Sequence, residues 1–405
     1  MPAPGALPTR CQQAAHHHGY NARVGAESKR SGPVLYLGCI PFRTLRQRPQ
    51  QLAIEISRRA DLLYIEPHRS QAGRLASPDW LVEEPPGPGS SLEILDPPAA
   101  LPASGYLPVL NRVNYRRTAR AIRRRLAARG GGAPPRSIVV SFPKHLDLLR
   151  WFPGIPVCYD VMDEYPLFFD RWQGAVLARL HERLLRRADA VVVTSALLEE
   201  RCRPFARAIA RVPNGVDSAF HEACAAAEPD PGVVALPSPR IGFVGALGPW
   251  VDLEVVRTLA AAFPAGSVIL VGPTSGPLPA LAPNVHWLGP KRHAAIPALL
   301  RALEIAIVPF RASPLTDAVD PIKVYEYLSA GLPVIGTDLA GIADFGPLVA
   351  RCARPSDWPE AARLAMRTRS EGERGRRRSF AAGQLWSQRA GAFLEVLRAA
   401  EAAHA

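Results

Sequence analysis

Short apolar runs alternate with amphipathic stretches along most of this 405-residue chain, and that rhythm constrains the fold more than any other feature. PVLYLGC (33–39) is apolar with no helical period, as a strand buried on both faces requires. RQRPQQLAIEISRRA (46–60) sets Leu52, Ile54 and Ile56 among polar residues and reads as a helix, and DLLYIEP (61–67) is the next strand. A Pro/Gly/Ser-rich loop (85–105) follows, then strands at SIVVSF (137–142), PVCYDV (156–161) and ADAVVVTS (188–195). VPNGVD (212–217) ends this set, and AAAEPDPGVVALPSPR (225–240) has linker composition. A second set begins at RIGFVGAL (240–247) and runs through SVILVGP (267–273), NVHWLGP (284–290), EIAIVPF (304–310) and PVIGTD (333–338), again with helices between. Strands alternating with helices imply βαβ units and a parallel sheet. The expected fold is therefore α/β, two Rossmann-like domains facing across a cleft. The expected division is a leader at 1–32, an N-terminal domain at 33–215, a linker at 216–238, a C-terminal domain at 239–378 and a final helix at 379–405.

Charge narrows the partners. Lys and Arg total 49 against 36 Asp and Glu, a formal net charge of +13. Lys29, Lys144, Lys291 and Lys323 are the only lysines, so an arginine-biased coding habit explains part of the basicity. A basic chain still favours anionic partners: nucleotides, nucleic acid or acidic lipid. NRVNYRRTARAIRRRLAARG (111–130) holds eight arginines and no acid around Tyr115, Ala119, Ile122 and Leu126 at helical spacing. A surface for anionic lipid and a sheet-packed helix with solvated arginines both fit that pattern. The run RTRSEGERGRRR (367–378) reads as an exposed loop. The arginines lack interleaved aromatics and no nucleic-acid motif is present, so nucleic acid is not an expected partner.

Six cysteines without a CxxC pair argue against structural zinc and against a disulfide framework. Cys39 and Cys158 lie in strand-like runs and are expected as buried thiols. His16–His18 sits in the polar leader and reads as a tail rather than a metal site. No apolar run reaches the about 20 residues of a membrane span, and the first residues lack the apolar core of a signal peptide. A cytoplasmic chain is expected, peripheral at most on the inner face of the plasma membrane.

Chemistry in such folds sits at the carboxyl ends of strands, beside helix N-termini. Gly38 ends the first strand, and Arg48 and Pro49 open the next helix, which suits an anion or an ordinary β–α loop equally. CYDVMDEYP (158–166) brings Asp160, Asp163 and Glu164 to a strand end, where carboxylates hold hydroxyls or merely cap a helix. GFVGALGPWVDLEVV (242–256) places Gly245 and Gly248 between strand and helix without a full GxGxxG, with Asp252 as a helix cap. DPIKVYEYLSAGLPVIGTD (320–338) says most. Asp320 reads as an N-cap and Pro321 as the first helical residue, and Lys323 and Glu326 share one face near the helix start. That arrangement suits a diphosphate on Lys323 and paired hydroxyls on Glu326; its plain alternative is an intrahelical Lys–Glu pair.

VPNGVD, RIGFVGALGPWVDLEVV, NVHWLGP and DPIKVYEYLSAGLPVIGTD, in this order, resemble the GT-B glycosyltransferases of the large retaining family 4. RQRPQQLA with LLYIEP, and CYDVMDEYPLF with ADAVVVTSALLE, are similar to the teichuronic-acid-type bacterial members. The resemblance runs from about Pro33 to the final helix. It implies that the C-terminal domain takes a nucleotide-sugar donor and the N-terminal domain a glycan or lipid-linked acceptor of cell-surface polysaccharide. It implies that GQLWSQRAGAFLEVL (383–397) crosses back to the N-terminal domain. The family pattern carries two glutamates separated by seven residues: Glu326 matches the second, which contacts the donor ribose, while the first position holds Ala318. The Arg and Lys that the family often carries after the first C-terminal strand are missing from GALGPWVDLE, which leaves Lys323 or Arg48 to neutralise the diphosphate.

The implied reaction is sugar transfer with retained configuration and no cofactor. Its leaving nucleoside diphosphate is stabilised by helix N-termini and Lys323 without a metal, since DVMDE (160–164) has the wrong spacing for a strand-end metal motif. The residues taken as catalytic are Asp163, Lys323 and Glu326. Gly245, Gly248, Asp320, Lys323 and Glu326 form the donor side, and Gly38, Arg48 and Asp160 the acceptor or phosphate side. The alternatives are a non-catalytic sugar-nucleotide-binding protein, which Ala318 makes thinkable, and another two-Rossmann enzyme such as a sugar-nucleotide epimerase.

Overall fold

The computed structural model describes residues 32–43, 46–68, 89–101, 108–129 and 132–404. The leader, including His16–His18 and Cys11, lies outside the described residues, as does part of the 85–105 loop.

The apolar runs become two parallel sheets. The first contains β1 (Val34–Leu37), β2 (Leu62–Ile65), β3 (Leu92–Leu95), β4 (Ser137–Val140), β5 (Val157–Val161), β6 (Ala190–Val193) and β7 (Ile209–Arg211). Its strand order is β3-β2-β1-β4-β5-β6-β7. The second contains β8 (Arg240–Val244), β9 (Ser267–Val271), β10 (Val285–Trp287), β11 (Ile305–Val308), β12 (Val334–Thr337) and β13 (Val349–Cys352), in the order β10-β9-β8-β11-β12-β13. Central strands such as VLYL and AVVV are buried throughout, because helices cover both sheet faces. In the first sheet Leu35 and Leu37 join one apolar layer, and Val34 and Tyr36 the opposite one. Tyr36 registers with Tyr64 across β1 and β2, and their rings stack at 5.4 Å. Each sheet reverses winding beside its first strand, between β1 and β4 and between β8 and β11, and the crevice opens there.

Several expectations need correction. The 216–238 stretch is not a free linker: the helix Ser218–Ala226 and the turn after it bury Phe220, Cys224 and Val233 in the C-terminal core. The basic run at 367–378 is not a loop. It enters the helix Glu371–Ala382, where Arg377 is buried and donates to the Gly331 carbonyl and to Thr368. Strands β3, β7 and β13 went unread, because edge strands are short and only partly apolar. Among the described residues the cysteines are free; Cys158 is buried as expected, Cys39 only partly.

The chain crosses between domains twice, side by side. Val216 forms a parallel bridge with Leu385, its amide donating to the Gln384 carbonyl and its carbonyl accepting from Trp386. Gly215 is a glycine because a Cβ there would stand 2.5 Å from the Gln384 carbonyl oxygen. Beyond that crossing, the helix Trp386–His404 lays Trp386, Phe393, Leu394 and Leu397 onto the N-terminal core beside the helix Arg48–Ser57. This helix, expected over 379–405, spans Trp386–His404.

A buried polar hub joins the pieces. The Arg48 guanidinium, 1% exposed, donates from Nε and Nη2 to the Asp160 carboxylate, with Nη2 at 2.8 Å. Its Nη1 donates to the Val212 carbonyl and to Asn214 Oδ1. The Asn214 backbone N–H and side-chain amide both donate to Asp320 at 2.6 Å, and its carbonyl accepts from Arg389 of the final helix. Removing one partner of such a pair strands a buried charge. Arg48→Ala is expected to cost about 3–5 kcal/mol, checked by chemical denaturation. A double change to apolar residues, Arg48→Met with Asp160→Leu, should recover most of the loss.

Candidate active site

The two domains enclose a cavity of about 420 Å³, within the range of small-ligand sites. Its walls are strand ends. Met162 and Asp163 follow β5 and Asn214 follows β7 on one side; Gly245 follows β8, Gly272 follows β9 and Phe310 follows β11 on the other.

The helix Ile322–Ser329 supplies the chemistry. Its buried side anchors it: the Tyr327 hydroxyl lies 2.8 Å from the Val244 amide and 3.1 Å from the Val244 carbonyl, accepting from one and donating to the other. That clamp holds the helix against the end of β8. One turn earlier, Lys323 therefore lies across Gly245, where a Cβ would stand 1.8 Å from Lys323 Cε. The ammonium sits 5.8 Å from the Phe243 ring centroid and 5.9 Å from that of Phe310, faces that favour a cation. Among the described residues it makes no hydrogen bond or ion pair. Burial lowers its pKa, while Glu326 and Asp163 oppose the fall. The first helical turn carries no acid, so the lysine and the positive helix end act together on an anion.

Glu326 lies one turn on, 17% exposed, with Oε1 3.4 Å from His293 Nε2. His293 in turn stacks on Phe220, centroids 4.8 Å apart. Across the cavity, burial raises Asp163 to about 7 against the pull of Arg48; Glu164 adds to the rise and Lys323 opposes it. A carboxyl titrating near neutrality can take or give a proton.

The cavity brings Arg48, Asp163, Gly245, Asp320, Lys323 and Glu326 together. The remaining expectations are corrected. Asp160 is fully buried and held by Arg48 and by the Tyr36 hydroxyl, so it positions Arg48 rather than meeting an acceptor. Arg48 reaches the cavity wall, but its donors are committed to Asp160, Val212 and Asn214, so it is not a free phosphate ligand. Gly38 makes room for the Tyr64 ring, 2.1 Å from where its Cβ would stand, and not for a ligand. Gly248 is closed by the Trp250 ring and lines a separate depression. Asp320 does not cap the helix, which begins with Pro321 at the cap; its carboxylate accepts from the Asn214 amide and the Tyr325 hydroxyl. Ala318 is buried against the N-terminal core, its carbonyl accepting from Ser195 at 2.7 Å.

Asn214, Trp250, Lys291 and His293 line the cavity without having been singled out. Each follows a strand, and that position is the one signal that marks them in the sequence.

Two outcomes follow. Gly245→Ala is expected to push Lys323 off its aromatic seat and abolish stabilisation by a nucleoside diphosphate in a thermal-shift assay, with the fold intact by circular dichroism. Burial also raises Asp320, to about 6, despite hydrogen bonds from Asn214 and Tyr325 and the charges of Arg48 and Arg389. Above pH 3.8 the unfolded chain loses protons that folded Asp163 and Asp320 keep, until about 7 and about 6. Their contribution is therefore full at low pH and lost as pH rises through that window. Asp163→Asn should flatten part of this fall in a melting-temperature series.

Residues 238–366 match the family model described as Glycosyl transferases group 1. The Bacillus subtilis (strain 168) protein TuaH, named as a teichuronic acid biosynthesis glycosyltransferase, is 28% identical over 216 residues, covering 46% of this chain and 54% of TuaH. That alignment spans about half the length of the relative. Among solved structures, sucrose-phosphate synthase from Thermosynechococcus elongatus superposes with a TM-score of 0.66 at 15% identity over 92% of this chain and 100% of that one. The α,α-trehalose 6-phosphate synthase of Burkholderia multivorans gives 0.64 at 12% identity, over 92% and 100%. Anabaena Alr3699/HepE in complex with UDP-glucose gives 0.61 at 16% identity, over 89% and 99%. At such identities the structures speak for the fold. Two parallel sheets across a cleft give this chain the GT-B fold of these structures, and its residues 238–366 match the glycosyl transferases group 1 model.

Proposed function

We propose that the chain transfers a sugar, with retained configuration, from a nucleotide-sugar donor to a glycan or lipid-linked acceptor in cell-surface polysaccharide synthesis. The observation that carries this reading is Lys323, a half-buried ammonium beside a helix start, seated on two aromatic rings in an interdomain cavity. The donor diphosphate lies on Lys323 and the helix N-terminus, and Glu326 accepts from the ribose hydroxyls. As the bond from the sugar to the phosphate oxygen breaks, the acceptor oxygen forms its bond to the same carbon. Asp163 stands near that hydroxyl to receive its proton. The lysine and the helix dipole neutralise the leaving diphosphate, so no divalent cation is required.

Similarity to TuaH supports the polysaccharide setting, and the likeness to HepE, solved with UDP-glucose, supports a nucleotide-sugar donor. The arginine-rich segment 112–129 is a surface for an anionic partner: Arg112, Arg116, Arg120 and Arg124 are exposed, and no ion pair holds them among the described residues. No helix among the described residues is long and apolar enough to cross a membrane.

A second reading, a sugar-nucleotide binder without turnover, draws on Ala318. Neither neighbouring acid replaces the missing glutamate: Asp317 accepts from the Ala340 amide and Asp320 from Asn214. A thermal-shift panel of UDP-, GDP- and TDP-sugars should reveal one stabilising donor. Lys323→Ala and Glu326→Ala should lose that shift while remaining folded, and Lys323→Ala should cut turnover by roughly 100-fold or more. Donor hydrolysis measured with and without acceptors, in the presence of a chelator, separates the two readings: binding with no turnover in either condition would leave the binder.

A further inference from the structure

Among the described residues Val234, Trp287 and Leu364 are exposed singly, but the other exposed large apolar side chains gather on the N-terminal domain. Among the described residues, Leu167, Phe168, Phe169, Trp172 and Val176 stand out within one ten-residue stretch, with Phe168 46% and Trp172 62% exposed. Val109 and Val113, also exposed, lie at the start of the arginine-rich helix Pro108–Ala128. The short helix Pro143–Trp151 packs against both this helix and the helix Arg171–Arg187, so the two basic helices flank one face of the N-terminal domain. Soluble surfaces rarely gather apolar groups in this way without a partner.

The surroundings of the ridge are basic. Lys144 Nζ lies 5.8 Å from the Phe169 ring centroid. On the helix Arg171–Arg187, Trp172, Val176, Arg179 and Arg183 follow one exposed stripe, apolar at its start and basic beyond. Arg171, Arg179 and Arg183 make no ion pair among the described residues. The nearby acids are engaged: Asp170 caps the helix, Glu182 pairs with Arg186, Glu164 with Arg201 and Asp147 with Arg150.

We propose that this ridge, with its basic rim, docks on a lipid bilayer that carries anionic headgroups. Aromatic and aliphatic tips suit the boundary between headgroups and acyl chains, and flanking lysine and arginine suit the anionic surface. A second copy of the chain fits less well, since a two-fold contact would set Arg171, Arg179 and Arg183 against themselves. The ridge is continuous with the active-site cavity, because Phe168 lines that cavity with Met162 and Asp163. Docking therefore turns the cavity mouth toward the membrane, and the acceptor is an amphiphile held there. That last step rests on the transferase reading; the docking itself does not.

The test is flotation of the full chain with vesicles of phosphatidylcholine, with and without phosphatidylglycerol, alongside thermal shift with the stabilising nucleotide-sugar. The chain should float only with the anionic vesicles. Trp172→Ser with Val176→Ser should weaken flotation by roughly tenfold or more, and so should Arg179→Glu with Arg183→Glu, while the nucleotide shift stays unchanged. No flotation of the parent chain overturns the docking surface, as does flotation of both variants like the parent. Self-association in sedimentation velocity that the Trp172/Val176 variant abolishes also overturns it, in favour of a second copy. A retained nucleotide shift in those cases leaves the transferase reading standing; flotation without any nucleotide shift supports docking and removes the donor site.

Discussion

Asn214 holds the domains in register through its side-chain amide and both of its backbone polar groups. It accepts from Arg48 at the start of an N-terminal helix, donates twice to Asp320 of the C-terminal domain, and accepts at its carbonyl from Arg389 of the returning helix. Three segments remote in sequence thereby share one residue between the domains. Buried polar contacts of this kind add little net stability, because desolvation offsets much of the attraction. Their effect is on register: a small slide between domains would leave a buried guanidinium or carboxylate without partners. Apolar layers tolerate such a slide far better, so the hub adds register to the interdomain packing of Ala318 and the final helix. Asp160 contributes from the middle of β5, where a lone carboxylate would be untenable without Arg48.

The cation that serves the cavity is kept available by what surrounds it. Had Lys323 paired tightly with Glu326, as an intrahelical pair would, an incoming phosphate would have to displace that carboxylate. Instead Phe243 and Phe310 support the ammonium, and Glu326 turns toward His293. Burial without a partner lowers the lysine's pKa, which states in another form that the charged side chain gains when an anion arrives. Gly245 permits this arrangement by presenting only backbone beneath the side chain.

Much of the architecture was legible because central parallel strands have little choice: runs such as SIVV and AVVV can only lie between helix layers. Strands β3, β7 and β13 were not, since an edge needs fewer apolar residues and β13, VARC, buries only Val349 and Cys352. The segment 216–238 misled through composition, as its alanines and prolines form short helices whose Phe220 and Val233 reach the core. In the site, Lys323 and Glu326 were legible from their spacing on a helix that opens at a strand end. The roles of Arg48, Asp160 and Asp320 were not, because a charged residue at a strand end reads alike whether it faces a ligand or another buried charge. Only the partner decides, and Asp160 is 112 positions away from Arg48. Gly38 and Gly248 misled in the same way: each glycine marks a close approach, and the approaching group was an aromatic ring.

One loop connects the chemistry with the surface. Asp163 and Phe168 stand five residues apart after β5, and both line the cavity. Tyr165 between them is buried, its hydroxyl donating to the Ser141 carbonyl at 2.6 Å, which fixes the loop to the end of β4. The Asp163 carboxyl and the exposed aromatic ridge are therefore set by the same anchor and cannot be oriented independently. Lys323 rides on the C-terminal domain, whose short helix Pro314–Asp317 also packs against this loop. The hub at Asn214 then sets Asp163 and Lys323 against one another across the cavity.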